Sequence, residues 1–266
     1  MTTVQVNAKD AMALRQRTGL GLMDCKNALA ENACDMVKAE AWLREKLKGK
    51  MDARSDRPAG HGTIAIFSQP GRAAIIELRS ETDFTAKNTE FRALANTLAK
   101  HAAEQSGEIT MTAPMTAALD EIRIKTGENI SFGRGTCLQG GNFANYIHHD
   151  GRLAVLLQFE GELANDIATG ICQSVAAAVP TPIAVDESGV AADIMAQKRK
   201  EAQEEAKAAG KNEQIAAKMA EGKVRKFLEE VTLLGQVYVK DETKKLKDLL
   251  PAGTRVLRFV RMTVGG

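Results

Sequence analysis

The spacing of apolar residues changes near residue 63, and this change is the strongest constraint on the fold. Before it, apolar residues recur three or four positions apart, which is the spacing of one helix face. Residues 63–67 and 73–78 are instead short apolar runs typical of strands, and helical and strand-like patterns alternate from there onward. Alternation with hairpins favours antiparallel sheets over a parallel sheet. We therefore predict an α+β fold.

The first fifty residues predict three short helices. Asn7 and Asp35 are suitable N-caps for the first and third, and Thr18-Gly19 ends the first. Residues 48–62 carry charge, proline and glycine without periodicity, and they predict a linker. A bundle this small has a modest core, so it is more plausibly a docking unit than a catalytic one.

The middle of the chain predicts sheets and helices in turn. Pro70-Gly71 lies between the first two strand-like runs as a hairpin turn, and His149-Asp150-Gly151 predicts another turn. Strands are predicted at 131–138, 142–148, 153–159 and 254–264, and helices at about 88–105, 115–125 and 162–178.

Residues 190–230 are rich in alanine, lysine and glutamate and are interrupted at Gly210-Lys211-Asn212. This composition predicts two antiparallel helices forming a protruding hairpin, and a solvated charged surface is favoured over a specific binding code. Dimerisation through the hairpin, packing on a partner and simple exposure to solvent all remain open.

Composition excludes several classes of protein. The chain has 36 basic and 34 acidic residues, which lacks the strong basic excess of a dedicated nucleic-acid binder, so we expect no direct nucleic-acid partner. No run of 18 apolar residues is present, so we expect no membrane span. The start resembles no secretory signal and the four cysteines are irregularly spaced, which together predict a cytoplasmic protein with reduced thiols.

The sequence lacks the common motifs of catalytic and cofactor-binding sites. The sequence has no G-x-S-x-G or H-E-x-x-H, and the glycine pairs near residues 19 and 133 do not complete a dinucleotide fingerprint. If His148 and His149 lie in a strand, they point to opposite faces and do not easily share a metal ion, so a role as turn residues is favoured. We predict no enzyme activity, no catalytic residue, no metal site and no cofactor.

Two segments are far more specific sequence motifs than the incomplete ones above. They are residues 14–29, LRQRTGLGLMDCKNAL, and residues 77–88, ELRSETDFTAKN. Residues 127–130, GENI, residues 215–227, IAAKMAEGKVRKF, Gly235-Gln236 and residues 259–261, FVR, follow in order. Together they resemble the elongation factor Ts family, the guanine-nucleotide exchange factors of elongation factor Tu. The resemblance covers nearly the whole chain. Arg79 and Thr85 depart from the family's usual Asn and Val, and by comparison with the family we expect this chain to lack the C-terminal helical module of some members.

The resemblance implies a layout of four parts. Residues 1–57 would form a ubiquitin-associated-like three-helix domain with its linker. Residues 58–141 would form core subdomain N, and residues 142–183 with 229–266 would form core subdomain C. Residues 184–228 would be the helical hairpin, called the coiled-coil or dimerisation domain.

The resemblance also implies the site. Spacing alone would make Asp83 a turn or capping residue and Phe84 a core residue, whereas the family inserts this pair into elongation factor Tu near its magnesium and phosphate site. Leu22 and Met23 could equally be bundle core, and His148 a surface turn residue. The residues implied to bind the partner are Thr82, Asp83 and Phe84 in the exchange loop, and Arg15, Leu22, Met23, Thr126, Gly127, His148, Tyr238 and Val239 elsewhere.

The implied function is that of a translation elongation factor that binds GDP-bound elongation factor Tu and promotes GDP release, so that GTP rebinds. The partner would be bound in both its GDP-bound and its nucleotide-free form. The alternative is a translation-associated protein that binds elongation factor Tu without exchange activity.

Overall fold

The computed structural model describes residues 5–210 and 213–266, which divide into two compact units. The first unit contains residues up to 67, 76–137 and 264–266, and the second contains 68–75 and 138–263. The four-part division predicted from the sequence stays a prediction.

The first unit begins with three helices: α1 (Ala8–Thr18), α2 (Leu22–Glu31) and α3 (Met36–Asp52). The Asn7 side chain accepts a hydrogen bond from the backbone N–H of Lys9, and Asp35 caps α3 in the same way. Gly19 ends α1 in the left-handed conformation, at φ 71°, where a side chain would be strained. The helices pack around fully buried leucines, among them Leu14 and Leu29.

The linker predicted to begin at residue 48 is wrong in its first part. Helix α3 continues to Asp52, and Met51 is buried near its end. Lysine and methionine are good helix formers, and burial of Met51 offsets the low propensity of Gly49.

The remainder of the first unit is α+β, and residues 68–69, 72–75 and 138–139 of its strands are counted with the second unit. Its elements are β1 (His61–Gln69), β2 (Arg72–Ser80), α4 (Asp83–Lys87), α5 (Thr89–Ala102), β3 (Gly107–Glu108), α6 (Ala113–Thr126) and β4 (Ser131–Gln139). The strands form one sheet in the order β1-β2-β4-β3. Leu78 on β2 and Phe91 on α5 are fully buried. The short elements α4 and β3 have no counterpart in the sequence prediction.

The second unit contains β5 (Asn142–Ile147), β6 (Leu153–Glu160), α7 (Asn165–Ala177), α8 (Ala192–Ala208), α9 (Glu213–Val231), β7 (Val237–Tyr238), β8 (Asp241–Lys245) and β9 (Arg255–Thr263). Strands β5, β6 and β9 form an antiparallel sheet in that order, and α7 packs against it. Its core includes Val155, Leu157, Ile171 and Val175.

Helices α8 and α9 pack together through alanines, which lets the two backbones approach closely. These alanines are Ala202, Ala206, Ala216 and Ala220. The predicted interruption includes Lys211 and Asn212, which lie outside the described residues.

The mixture of helices with small antiparallel sheets confirms the predicted α+β class. The search for membrane spans, made over residues 5–210 and 213–266, finds no helix that combines the needed length with the needed apolar character.

Candidate functional site

The side chain of Phe84 lies on the surface at the start of α4 and is 83% exposed. Its neighbour Thr85 and the next residue, Ala86, are buried, so the turn itself is anchored while the ring faces solvent. The interpretation of Phe84 as a core residue, which spacing alone favoured, is therefore wrong. An exposed phenylalanine on an anchored turn is available for a partner.

Thr82 is the N-cap of α4, and its hydroxyl accepts a hydrogen bond from the backbone N–H of Thr85. The same hydroxyl donates to a carboxylate oxygen of Glu128 at 2.7 Å. The expectation that Asp83 caps the turn is wrong, because Asp83 is the first residue of the helix.

The Asp83 carboxylate accepts a hydrogen bond from the Lys87 ammonium at 2.6 Å, one helical turn away. This bond, with the charge of Lys87, lowers the pKa of Asp83 from its ordinary value of 3.8. The side chains are 46% and 69% exposed, so the pair presents both charges to solvent beside Phe84.

Thr126 and Gly127 end helix α6. The Thr126 hydroxyl donates back to the carbonyl of Ile122, and Gly127 adopts the left-handed conformation at φ 71°. The Gly127 carbonyl accepts a 2.6 Å hydrogen bond from Arg54, in the segment after α3. These residues thus link the three-helix bundle to the segment that leads to Glu128.

In the bundle, Arg15 is exposed, and Leu22 and Met23 are 39% and 65% exposed. The interpretation of Leu22 and Met23 as bundle core is therefore wrong. Met12, one turn before Arg15 on α1, is 46% exposed as well. The bundle leaves apolar side chains on its surface, as a docking surface requires.

Three residues proposed to bind the partner lie in the second unit. His148 is half-buried, and its Nδ1 lies 2.9 Å from the hydroxyl of Tyr146. Val239 is 46% exposed, and its backbone N–H donates to Ser174. Tyr238 is only 6% exposed and packs in the core of this unit, so little of its side chain is available at the surface, and its contact with a partner stays a prediction.

The role favoured for the two adjacent histidines, as turn residues, is confirmed. Strand β5 ends at Ile147, so His148 and His149 enter the turn, and their ring centroids lie 4.2 Å apart. Across the part of the chain that the structure describes, no group of three histidine, cysteine, aspartate or glutamate side chains could hold a metal ion.

The two residues that depart from the family pattern each contact a glutamate. Arg79 donates to the buried Glu77 carboxylate at 2.8 Å. The Thr85 hydroxyl donates to Glu128 at 2.7 Å, a bond that valine could not form.

Sequence reasoning missed Glu128 and Asn129 as site residues. Glu128 accepts hydrogen bonds from Thr82 and Thr85, and the Asn129 side chain donates to the carbonyls of Ser55 and Arg57. The signal was present in the GENI segment, from which only Gly127 was taken as a candidate.

Comparison with known proteins gives consistent matches. The family described as Elongation factor TS matches residues 81–266. Elongation factor Ts of Psychrobacter arcticus is 38% identical over all of this chain and 92% of its own length. The Hydrogenobaculum protein of the same name is 35% identical over 98% of this chain and 99% of its own length. That of Methylococcus capsulatus is 38% identical over 98% of this chain and 93% of its own.

Proposed function

The chain belongs to the elongation factor Ts family and is a translation elongation factor, and we propose that it binds GDP-bound elongation factor Tu and promotes release of GDP. The partner would pass through a nucleotide-free complex before GTP binds. The proposal needs no cofactor, no catalytic residue and no direct contact with nucleic acid, and it places the protein in the cytoplasm.

The observation that carries this proposal is the exposure of Phe84 on an anchored turn. A ring that is to enter a partner's nucleotide site must be free of its own core. Asp83 would act beside it by competing for polar groups that hold magnesium or phosphate, and Thr82 would orient the turn.

The Phe84 ring would act as a wedge in the partner's nucleotide site, but this wedge alone is too weak to drive exchange. Shifting a two-state population from 1:99 to 99:1 needs about 5.5 kcal/mol of differential binding. Burial of one phenylalanine contributes roughly 1.5–3 kcal/mol. Further contacts must therefore hold the factor in place while Phe84 acts.

The exposed residues elsewhere supply candidates for these contacts. Arg15, Leu22 and Met23 would dock the bundle on the partner's nucleotide domain, and Thr126 and Gly127 would support the insertion. His148 would also support the insertion, and Val239 would contact a different domain of the partner. Tyr238 would act indirectly, by supporting Val239 from the core. Dimerisation through α8 and α9 stays open.

Linkage makes the action reciprocal. If the factor lowers the affinity of elongation factor Tu for GDP, GDP lowers the affinity of elongation factor Tu for the factor by the same ratio. No bond is made or broken in such a cycle.

Stopped-flow release of a fluorescent GDP from elongation factor Tu tests the proposal. Phe84→Ala should lower the release rate at saturating factor by about ten- to a hundredfold, because the burial of one phenylalanine ring in the partner is lost. The affinity for nucleotide-free elongation factor Tu should change less. Ile215→Ala, which shortens a 45% exposed side chain on α9, is the control and should release GDP at the wild-type rate. An unchanged rate with Phe84→Ala would show that the wedge assignment is wrong.

The alternative, binding without exchange activity, predicts a stable complex with elongation factor Tu and no acceleration of GDP release by the wild-type chain. A pull-down followed by the same release assay distinguishes the two.

A further inference from the structure

We propose that Glu128 is a positioning residue for Phe84: its carboxylate holds the exchange loop at Thr82 and the residue that follows the loop, Thr85, so that the ring stays outside the fold. This inference rests on the proposed function, because it assigns the residue that presents the wedge.

One carboxylate receives three hydrogen bonds from Thr82 and Thr85. The backbone N–H of Thr82 donates to Oε2 at 3.2 Å, and the Thr82 hydroxyl donates to Oε1 at 2.7 Å. The Thr85 hydroxyl donates to the same Oε1 at 2.7 Å. Because every partner is a donor, the ionised carboxylate satisfies all of them, and such bonds are stronger than neutral ones.

The two threonines flank Phe84 and are linked to each other. The Thr82 hydroxyl, while donating to Glu128, accepts from the Thr85 backbone N–H. Ser80 adds a bond to the Thr82 carbonyl. With positions 82 and 85 fixed on one carboxylate, the chain between them makes a tight turn, and Phe84 is left 83% exposed.

Glu128 is itself held on both sides, so it can serve as a fixed point. Before it, Gly127 accepts from Arg54. After it, the Asn129 backbone N–H donates to Glu81 at 2.7 Å, and the Asn129 side chain donates to Ser55 and Arg57. The carboxylate therefore connects the exchange loop to the segment that follows the three-helix bundle.

The test uses the full-length chain and two measurements. Hydrogen–deuterium exchange, made without a partner, follows the amides of Thr82, Thr85 and Ala86. Stopped-flow GDP release from elongation factor Tu follows function. Glu128→Gln keeps the shape but removes the negative charge from all three bonds, and its NH2 group faces either the Thr82 amide N–H or the two hydroxyls in place of an acceptor. The control is Glu121→Gln, which makes the same change at an exposed glutamate on α6 that pairs with Lys125.

We expect Glu128→Gln to speed amide exchange in the loop by about tenfold or more, as follows from loss of bonds to a charged acceptor. Glu121→Gln should leave it unchanged. Thr85→Val removes one of the three bonds and should give an intermediate increase. Loop amides as well protected in Glu128→Gln as in the wild type would overturn the proposal.

The action through Phe84 is tested by a double-mutant cycle. Glu128→Gln should lower the saturating GDP-release rate at least about fivefold in the wild-type background and have little further effect in Phe84→Ala, because residues that act as a unit are not additive. An equal loss in both backgrounds would show a general structural role and overturn the positioning assignment.

Failure of the proposed function would look different. The wild-type chain would then fail to accelerate GDP release, while the amide-exchange result would still decide whether Glu128 holds the loop.

Discussion

Phe84 and Phe91 lie seven residues apart on consecutive helices, yet Phe84 is 83% exposed and Phe91 is completely buried. The same residue type thus lies in two different environments, solvent and core, within one short segment. Phe91 belongs to the apolar face of α5, whereas Phe84 contributes little to the core.

This contrast predicts different effects on stability. Phe84→Ala should change the free energy of unfolding by no more than about 0.5 kcal/mol, as for surface substitutions generally. Phe91→Ala should lower it by about 3–5 kcal/mol, because it opens a cavity. Urea unfolding followed by circular dichroism measures both. A large loss of stability in Phe84→Ala would mean that its effect on GDP release cannot be assigned to the wedge.

The Asp83–Lys87 pair predicts a pH dependence of the exchange loop. The Lys87 hydrogen bond lowers the pKa of Asp83 below 3.8, so the folded state binds this proton less tightly than the unfolded state. The pair therefore stabilises the folded loop above pH 3.8, and its contribution is lost as the pH falls through the lowered value.

The carboxyl carbon of Asp83, followed by nuclear magnetic resonance, should titrate with a midpoint below 3.8. In Lys87→Met the midpoint should return toward 3.8, because both the hydrogen bond and the charge of Lys87 are removed. A midpoint that does not respond to Lys87→Met would contradict the pairing.

The sequence predicted those elements whose signals are local. Asn7 and Asp35 act as N-caps as predicted, and Gly19 ends α1, because capping depends on a few adjacent residues. The strands around Pro70-Gly71 were predictable from short apolar runs on either side of a turn, and α8 and α9 from their alanine-, lysine- and glutamate-rich composition.

Elements and sites that depend on distant residues were not predictable in this way. Helix α4 has five residues, too few for a period, and it is held by Glu128, 43 positions beyond Thr85. Exposure of Phe84 could not follow from its neighbours, and only the family resemblance indicated it. The resemblance implied that Tyr238 binds the partner, and the sequence does not show that its ring packs against α7 at Gly170.

The different surroundings of two helical glycines, Gly170 and Gly222, predict opposite effects of replacing each by alanine. A Cβ on Gly170 would overlap the Tyr238 hydroxyl, whereas one on Gly222 in α9 would meet nothing within 4 Å. Gly170→Ala should destabilise by about 1–3 kcal/mol through overpacking. Gly222→Ala should stabilise by up to about 1 kcal/mol, through helix propensity.

Thermal unfolding of the two variants measures this difference. The midpoint should fall in Gly170→Ala and rise slightly in Gly222→Ala. If both variants unfold at the same temperature, the close packing of Tyr238 against α7 is not as described, and the ring of Tyr238 would again be a candidate for partner contact.

Asn129 provides the last prediction, because its buried side chain donates to two carbonyls, those of Ser55 at 2.9 Å and Arg57 at 2.7 Å. Asn129→Asp keeps the shape but places a carboxylate oxygen against these carbonyls and leaves them without their donor. We expect a loss of about 1–3 kcal/mol, the penalty for buried polar groups that lose their hydrogen bonds.

Asn88→Asp makes the same change where it should be harmless. The exposed Asn88 is the N-cap of α5 and accepts from the backbone N–H of Glu90, and aspartate caps equally well. Thermal unfolding should therefore separate the two variants at pH 7, with only Asn129→Asp lowered. Amide exchange at Thr82 should also increase in Asn129→Asp, because Glu128 loses a fixed neighbour. Equal unfolding temperatures would show that residues 55–57 are held by other contacts, and unchanged exchange at Thr82 would show that Glu128 does not depend on Asn129 for its position.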